Sequence, residues 1–312
     1  ARCCSVAIAR APVMHACARA TSLASRRFPF PLLAPGRLRR GARRAVAMAV
    51  RVDAAVHTWL PMEGKPDGAA ATLLQRMDAA SVDHAIIVQP GVISDPFDHS
   101  YVAECVRSHE GRLSGVLLAR PAEGGVEELL TLAEQGFVGV RFNPGLDPVG
   151  DMSKGQWPAL YAAAGQKGLP VGFMCFNALL DHVQAIRSLV ASSPETTAVI
   201  DHCGFCHGDE EWQALLALAE LPQVHVKLSA FFRVSGAPFP HADLAPRLAQ
   251  LRGAFGAGRL LWGSDWPWVD AEGGGYAGAS ALLEGSGVFS GEELEAVMGG
   301  TARELFALPG AP

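Results

Sequence analysis

One carboxylate closes one of the most apolar stretches of the sequence, residues 259–265 (RLLWGSD). Three tryptophans, Trp262, Trp266 and Trp268, lie on either side of it along the chain. A carboxylate held against indole rings is costly unless it is paired, and burial raises its pKa. Asp265 is therefore predicted to be a general base with a raised pKa. The alternative is a structural role as a helix N-cap, for which Asp is a favoured residue.

Other polar side chains recur at the ends of apolar runs. They are His57, Gln89, Arg120, Arg141 with Asn143, Cys175, Asp201 with His202, Lys227 and Asp265. Each residue alone is explained by a cap or an ion pair. A purely structural protein has no need for an ionisable or amide group at nearly every run end. The set therefore predicts a ring of functional groups.

The runs that carry these groups read as eight short buried strands. They span residues 52–59, 84–90, 113–120, 137–144, 169–176, 197–204, 224–230 and 259–265. Stretches with apolar spacing near 3.6 lie between most of them, at residues 71–80, 126–136, 179–193 and 210–220. This alternation predicts the α/β class and a single (β/α)8 TIM-type barrel, with a doubly wound open sheet as the alternative. In a barrel the carboxyl ends of the strands face the active site, where the polar groups would meet.

The first fifty residues differ in composition from the rest of the chain. They contain ten arginines and no Asp, Glu or Lys. Without these ten, 16 basic residues face 31 acidic ones, a formal charge of −15, which argues against a nucleic-acid partner. An acid-free, Arg-rich leader is typical of an organelle transit peptide. Residues 1–48 are therefore predicted to be a disordered leader to a chloroplast, or alternatively a mitochondrion, and residues 49–312 to form the barrel.

The positions of the cysteines and the lengths of the apolar runs argue against a disulfide-rich secreted protein and against a membrane-spanning protein. The body cysteines, Cys105, Cys175, Cys203 and Cys206, are scattered and do not form the framework of a disulfide-rich secreted protein. No apolar run approaches the ~20 residues that span a bilayer, so no membrane partner is predicted. The expected partner is a small-molecule substrate.

Six segments resemble the amidohydrolase superfamily, specifically its amidohydrolase-related (type 2) branch. They are VDAAVHTW, GVRFNP, AVIDHCG, VHVKLSAFFRVS, LLWGSDWP and MGGTARELFAL, in the expected order between residues 51 and 308. This branch contains pyrone-dicarboxylate lactonase, sugar lactonases and metal-dependent decarboxylases, and the chain looks most similar to plant and algal plastid members. The resemblance implies a barrel hydrolase with a site at the strand ends.

The sequence departs from the family at two metal-ligand positions. The family's first strand normally ends in Asp-x-His-x-His, but here Ala55 replaces the first histidine and only His57 remains. The fifth strand offers Met174 and Cys175 where a ligand is usual. The sequence therefore predicts no metal cofactor. The alternative is one divalent ion such as zinc at His57, His202 and Asp265, with a Cys175 thiolate replacing the lost imidazole.

A second motif, residues 203–207 (CGFCH), matches the C-x-x-C-H pattern of haem attachment and the C-x-x-C pattern of thiol redox proteins. Both need a setting other than the end of a barrel strand. Chance spacing is the preferred interpretation, and a redox role for Cys203 and Cys206 stays open.

These observations together predict a hydrolase of a small carboxylate-bearing lactone, ester or related acyl compound. Asp265, His202 and His57 are the predicted catalytic residues, with Asp265 as the base on water. The predicted substrate-binding residues are Arg141, Asn143, Lys227, Arg233 and Trp59. The alternatives are a metal-dependent decarboxylase and a catalytically inactive metabolite-binding barrel.

Overall fold

Apolar runs that are buried on both faces form a parallel sheet in the computed structural model, which describes residues 50–147, 150–176 and 178–308. Eight strands pair in sequence order, each parallel to the next. They are β1 (Val52–Val56), β2 (His84–Val88), β3 (Leu113–Leu118), β4 (Phe137–Phe142), β5 (Val171–Phe173), β6 (Ala198–Ile200), β7 (Val224–Leu228) and β8 (Leu260–Trp262). The predicted strands are confirmed, although each is shorter than its apolar run.

The ring of strands is closed by the segment that follows β8. The amide of Asp265 donates to the carbonyl of Ala55, and the amide of His57 donates to the carbonyl of Trp266, both at 2.8 Å. Gly263 permits this approach, because a Cβ at this position would lie 2.8 Å from the Ala55 methyl. The predicted (β/α)8 barrel is confirmed, and its closure brings Asp265 beside His57.

Helices follow the strands and cover the outside of the barrel. They are α1 (Ala70–Ala79), α2 (Ser100–Ser108), α3 (Gly125–Glu134), α4 (Trp157–Gln166), α5 (Leu179–Ser192), α6 (Asp209–Ala217), α7 (Ala245–Phe255) and α8 (Gly275–Gly285). Two short helices, α9 (Glu292–Glu295) and α10 (Thr301–Leu305), flank a π-helical turn at Ala296–Gly300. Helix side chains such as Leu73, Leu160 and Leu215 are fully buried against the strands.

The predicted leader, residues 1–48, lies outside the described residues. Within the described part of the chain, no helix is both long enough and apolar enough to cross a bilayer.

Candidate active site

A cavity of about 510 Å³ opens at the carboxyl ends of the strands. This volume is typical of a site for a small molecule. Six polar side chains contribute to its lining: His57, Arg141, Asn143, His202, Arg233 and Asp265. All six were predicted as site residues, and the structure brings them together from the ends of five different strands.

Asp265 is the centre of this polar group. Its carboxylate is buried, with Oδ1 3.4 Å from Nε2 of His57 and 3.9 Å from Nε2 of His202. Arg233 donates from Nε to Oδ2 over 3.2 Å. The helical turn that follows, Trp268–Ala271, has no side-chain cap. The N-cap alternative for Asp265 is therefore wrong, since its carboxylate faces side chains of the site.

The backbone near these groups adopts conformations that L-residues disfavour. The φ angle is 63° at Asp265 and 53° at His202, and Cys203 and Phe205 after β6 also have positive φ. Such residues cost of order 1–3 kcal/mol each and cluster at functional sites. The left-handed residues direct both side chains into the cavity at the expense of local stability.

Hydrogen bonds on the far side of each imidazole set its orientation. Nδ1 of His57 lies 2.7 Å from the carbonyl oxygen of Val88, so this nitrogen carries the proton and donates. In the neutral ring Nε2 is then an acceptor that faces Oδ1 of Asp265. A water molecule placed between these two acceptors can donate one proton to each. Nδ1 of His202 is held in turn by Oγ of Ser229 at 2.8 Å.

The charges around Asp265 keep it ionised. Burial alone would raise the pKa of Asp265, but the positive charges of protonated His202 and His57, together with Arg233, lower it to about 2. Burial also lowers the pKa of His202 to about 4, against the opposing charges of Asp265 and Asp201. His202 is therefore neutral at neutral pH, where Arg233 is the fixed cation that holds Asp265 as a carboxylate.

The expectation that tryptophans raise the pKa of Asp265 is wrong. Trp262 and Trp266 are buried in the barrel, where their Nε1 groups donate to the Ala279 carbonyl and to Asp270 respectively. Only Trp268 of the three contributes to the cavity wall. Local charge therefore outweighs the effect of burial at Asp265.

A buried ion-pair network supports the floor of the cavity. Arg141 donates from Nε to Oδ2 of Asp201 at 3.0 Å, and Nζ of Lys227 lies 3.0 Å from Oδ1. Although burial alone would raise the pKa of the Asp201 carboxyl, these two cations lower it well below its usual range. Two cations share one anion, so the network carries a net positive charge. Nη2 of Arg141 is buried without a hydrogen-bond partner among the described residues.

The predicted substrate-binding residues are placed differently from one another. Asn143 lines the cavity while its Oδ1 accepts from the amide of Gly145. Arg233 lines the cavity but uses Nε to hold Asp265. Lys227 is fully buried against Asp201 and Trp59 is buried with its ring 5.5 Å from that of Trp268, so neither is among the cavity-lining residues. The structure thus assigns Lys227 and Trp59 positions behind the wall, because each already has a buried partner.

The residues present do not form a ready metal site. No group of three or more His, Cys, Asp or Glu side chains within residues 50–147, 150–176 and 178–308 is arranged to hold a metal ion. Ala55, two residues before His57, has no donor atom in its side chain. Burial raises the pKa of the Cys175 thiol well above its usual range, and Cys175 is not among the cavity-lining residues. The alternative of a Cys175 thiolate ligand therefore finds no support in the lining of the cavity.

The cysteines of the C-x-x-C-H motif belong to the turn that carries His202, with Cys203 inside it and Cys206 directly after it. Cys203 and Cys206 are buried free thiols, and burial raises the pKa of each to about 12. Thiols of this kind are poor nucleophiles, since the thiolate is the reactive form.

Asp53, at the start of the first motif, couples the stability of the barrel to pH. It is fully buried, its Oδ1 accepts from the amides of Ala55 and Ser264, and burial raises its pKa to about 6. The folded state therefore holds a proton that the unfolded chain releases near its ordinary pKa of 3.8. The contribution of Asp53 to stability is largest below this value and falls as the pH rises to about 6.

Replacing Asp53 with Asn tests this coupling. The amide keeps the acceptor for both backbone donors and does not ionise. Relative to wild type, Asp53→Asn is expected to gain up to ~3 kcal/mol of unfolding free energy between pH ~4 and pH ~7. Urea denaturation at several pH values measures the difference. A difference that does not change with pH would show that Asp53 is already ionised throughout this range.

Comparisons with known proteins find a family profile and several relatives that are similar to this chain. A family profile described as Amidohydrolase (Amidohydro_2) matches residues 38–308. L-fucono-1,5-lactonase of Burkholderia ambifaria is 38% identical over 104 residues, which cover 30% of this chain and only 35% of that protein. 4-Sulfomuconolactone hydrolase of Rhizobium radiobacter is 27% identical over 211 residues, covering 65% of this chain and 67% of that protein.

Solved structures share the whole barrel. A Pseudomonas putida protein assigned as a 2-pyrone-4,6-dicarboxylic acid hydrolase is 26% identical, with a TM-score of 0.70 over 83% of this chain and 98% of that chain. A zinc-bound amidohydrolase of Burkholderia multivorans (22%, TM-score 0.71, 84% and 100% covered) and a 2,6-dihydroxybenzoate decarboxylase of Rhizobium (17%, TM-score 0.62, 84% and 100% covered) show the shared fold alone.

Proposed function

The chain belongs to the amidohydrolase family, and we propose that it hydrolyses a small lactone that bears a carboxylate. The observation that carries this proposal is Asp265, a buried and ionised carboxylate that shares the cavity floor with His57 and His202. The proteins similar to this chain include a lactonase, a lactone hydrolase and a hydrolase of a cyclic dicarboxylic acid, which supports the proposal.

Asp265 takes the proton of the attacking water in the proposed reaction. Nε2 of His57 accepts the second proton of that water as a hydrogen bond, which fixes the direction of attack. Hydroxide adds to the lactone carbonyl carbon, and His202 donates from Nε2 to the developing oxyanion while Oγ of Ser229 donates to Nδ1. The ring C–O bond then breaks, and the departing alkoxide takes the proton from Asp265. The product is a hydroxy acid.

Arg141, Arg233 and Asn143 bind the anionic part of the substrate in this proposal. Arg141 lines the cavity, and its guanidinium would attract a substrate carboxylate there. Arg233 adds a second positive charge on the cavity wall. Lys227 contributes from behind, because it balances Asp201 and so keeps Arg141 from being fully neutralised.

The reaction is proposed not to depend strictly on a metal. If an ion were bound, His57, His202 and Asp265 would be its donors and it would polarise the carbonyl. As Ala55 and Cys175 supply no further donor, activity is expected to survive dialysis against a chelator. Ala55→His is expected to raise zinc affinity, measured by titration with zinc. A stoichiometric ion in the purified protein, with activity lost on stripping, would contradict the proposal.

A hydrolysis assay tests the proposed function itself. The purified protein is offered 2-pyrone-4,6-dicarboxylate, muconolactone and L-fucono-1,5-lactone, and acid release is followed with a pH indicator. We expect turnover with at least one carboxylated lactone. Absence of turnover with all three, in a folded protein, would favour the inactive binding barrel.

Residues 1–48 are proposed to direct the chain to the chloroplast. Their ten arginines and lack of acidic residues support this proposal. A fusion of residues 1–48 to a fluorescent protein is expected to enter isolated chloroplasts and to be shortened there. Import by mitochondria alone would favour the alternative compartment, and import by neither would contradict the leader.

A further inference from the structure

The cavity has a polar floor and an apolar upper wall. Around the mouth and sides stand Val92, Leu146, Met174, Phe176, Phe205 and Trp268. Val92 and Phe176 are also exposed to solvent by about half, at 48% and 53%. Large apolar side chains that are both exposed and part of a cavity are unusual on a soluble surface and mark binding sites.

Aromatic rings connect the mouth to the catalytic imidazole. Phe176 contacts Phe205 edge-on with ring centroids 4.8 Å apart, and Phe205 contacts His202 at 4.9 Å. The Trp268 ring also lines the cavity and is supported from behind by Trp59. An apolar group in this space would contact aromatic surface along its whole length from the mouth to His202.

The cavity continues outward instead of ending at its mouth. Phe176, Arg233 and Trp268 line both this cavity and a neighbouring groove of about 480 Å³. Phe232 and Ala271 extend the apolar part of that groove, whose lining also includes His207 and Glu272. A substrate whose lactone ring occupies the floor therefore has a path between Phe176 and Trp268 for a further substituent.

The wall offers few partners for hydroxyl groups. Among the described residues that line the cavity, there is no Ser, Thr, Tyr, Gln, Glu or Lys. Asn143 is the one side-chain amide in that lining, and its Oδ1 already accepts from Gly145. The six polar side chains of the lining are assigned to the attacking water, the oxyanion and the substrate carboxylate. The further hydroxyls of a polyhydroxylated ring would therefore face the apolar wall and lose hydrogen bonds to water, which is unfavourable.

We propose that the substrate carries an apolar arm, aryl or alkyl, which lies between Phe176 and Trp268 and extends into the neighbouring groove. This inference rests on the proposed lactone hydrolysis and adds the substrate class. A carboxylated lactone with such an arm is selected over a sugar lactone, although the fuconolactonase of Burkholderia ambifaria is among the relatives of this chain.

The test compares lactones that differ only in the arm. Paraconic acid, a butyrolactone carboxylic acid, is paired with its phenyl and hexyl derivatives, and L-fucono-1,5-lactone is the hydroxylated comparison. We expect kcat/KM to be at least ~10-fold higher for the phenyl or hexyl derivative than for paraconic acid, consistent with burial of an apolar group of this size. The sugar lactone is expected to be the poorest of the set.

Two matched variants locate the arm. Phe176→Ala is expected to bring the ratio of kcat/KM for the phenyl or hexyl derivative to kcat/KM for paraconic acid close to one. Leu180→Ala, another exposed apolar residue (41%) and not among those lining the cavity, is expected to keep the wild-type ratio. Both side chains are exposed, so both variants are expected to melt like wild type.

Each outcome separates this inference from the proposed function. Hydrolysis of paraconic acid with no gain from either arm, or a preference for the sugar lactone, would overturn the arm and leave lactone hydrolysis intact. An arm preference that Phe176→Ala does not reduce would also overturn its placement. A protein that opens none of these lactones loses both the proposed function and the arm.

Discussion

Asp265→Asn is expected to lower kcat/KM for lactone hydrolysis by at least ~10²-fold while the barrel stays folded. The amide is nearly isosteric with the carboxylate and can still accept from Arg233, which donates to Oδ2 in the wild type. It cannot take a proton from water. Turnover and circular dichroism of the purified variant measure the two parts of this expectation.

Asp265→Ala is the control for this result. It removes both the base and the partner of Arg233, so it is expected to lose activity to at least the same degree and to change the melting temperature more than Asp265→Asn. Normal turnover in Asp265→Asn would remove Asp265 from the mechanism. A loss of activity that merely follows loss of folded protein would assign Asp265 a structural role.

Asp201→Asn is expected to cost about 3–5 kcal/mol of unfolding free energy, the largest stability effect that the site offers. Arg141 and Lys227 are both buried against the Asp201 carboxylate, and the substitution leaves two cations without their anion. For a barrel of this size the melting temperature would fall by roughly 10 °C. Urea denaturation and thermal melting measure the change.

The matched control for Asp201 is another aspartate that pairs with an arginine. Asp209 lies 3.8 Å from Arg247 and is fully exposed, so Asp209→Asn is expected to leave the melting temperature nearly unchanged. Equal effects of the two substitutions would contradict the account of the buried network. Asp201→Asn with wild-type stability would do the same.

The architecture could be predicted because its pattern is local. Each strand is an apolar run that ends in a polar or breaking residue, and eight such runs alternate with amphipathic segments. The polar run ends therefore predicted side chains that meet in one cavity, with His57, His202 and Asp265 just beyond the ends of β1, β6 and β8. The strands themselves proved shorter than their runs, and residues with positive φ angles follow the last three of them, such as His202, Ala230 and Asp265.

The roles of the cations could not be predicted from sequence. Lys227 lies in an apolar strand beside the site. The sequence shows this charge but does not show that the Asp201 carboxylate pairs with it. Asp201 was visible next to His202, yet its pairing with Arg141 spans 60 residues and appears only in the fold. The pKa of Asp265 likewise depends on Arg233, which is distant along the chain.

The apolar wall of the cavity was also not predicted, because the sequence motifs that indicated the site are polar. Phe176 and Phe205 come from loops after β5 and β6, where single aromatic residues carry no periodic signal. The sequence does carry one indication of this wall. Phe176 and Phe205 are large apolar residues placed just beyond a strand end, among residues that are mostly small or polar.

The most direct test of water activation by Asp265 is one turnover in heavy-oxygen water. Excess enzyme opens 2-pyrone-4,6-dicarboxylate, or whichever carboxylated lactone it turns over, and mass spectrometry reads the product. The account predicts a ring-opened acid with one heavy oxygen in the carboxylate formed from the lactone carbonyl and no label in the protein. Unlabelled product with label appearing on Asp265, or release of carbon dioxide without ring opening, would contradict it.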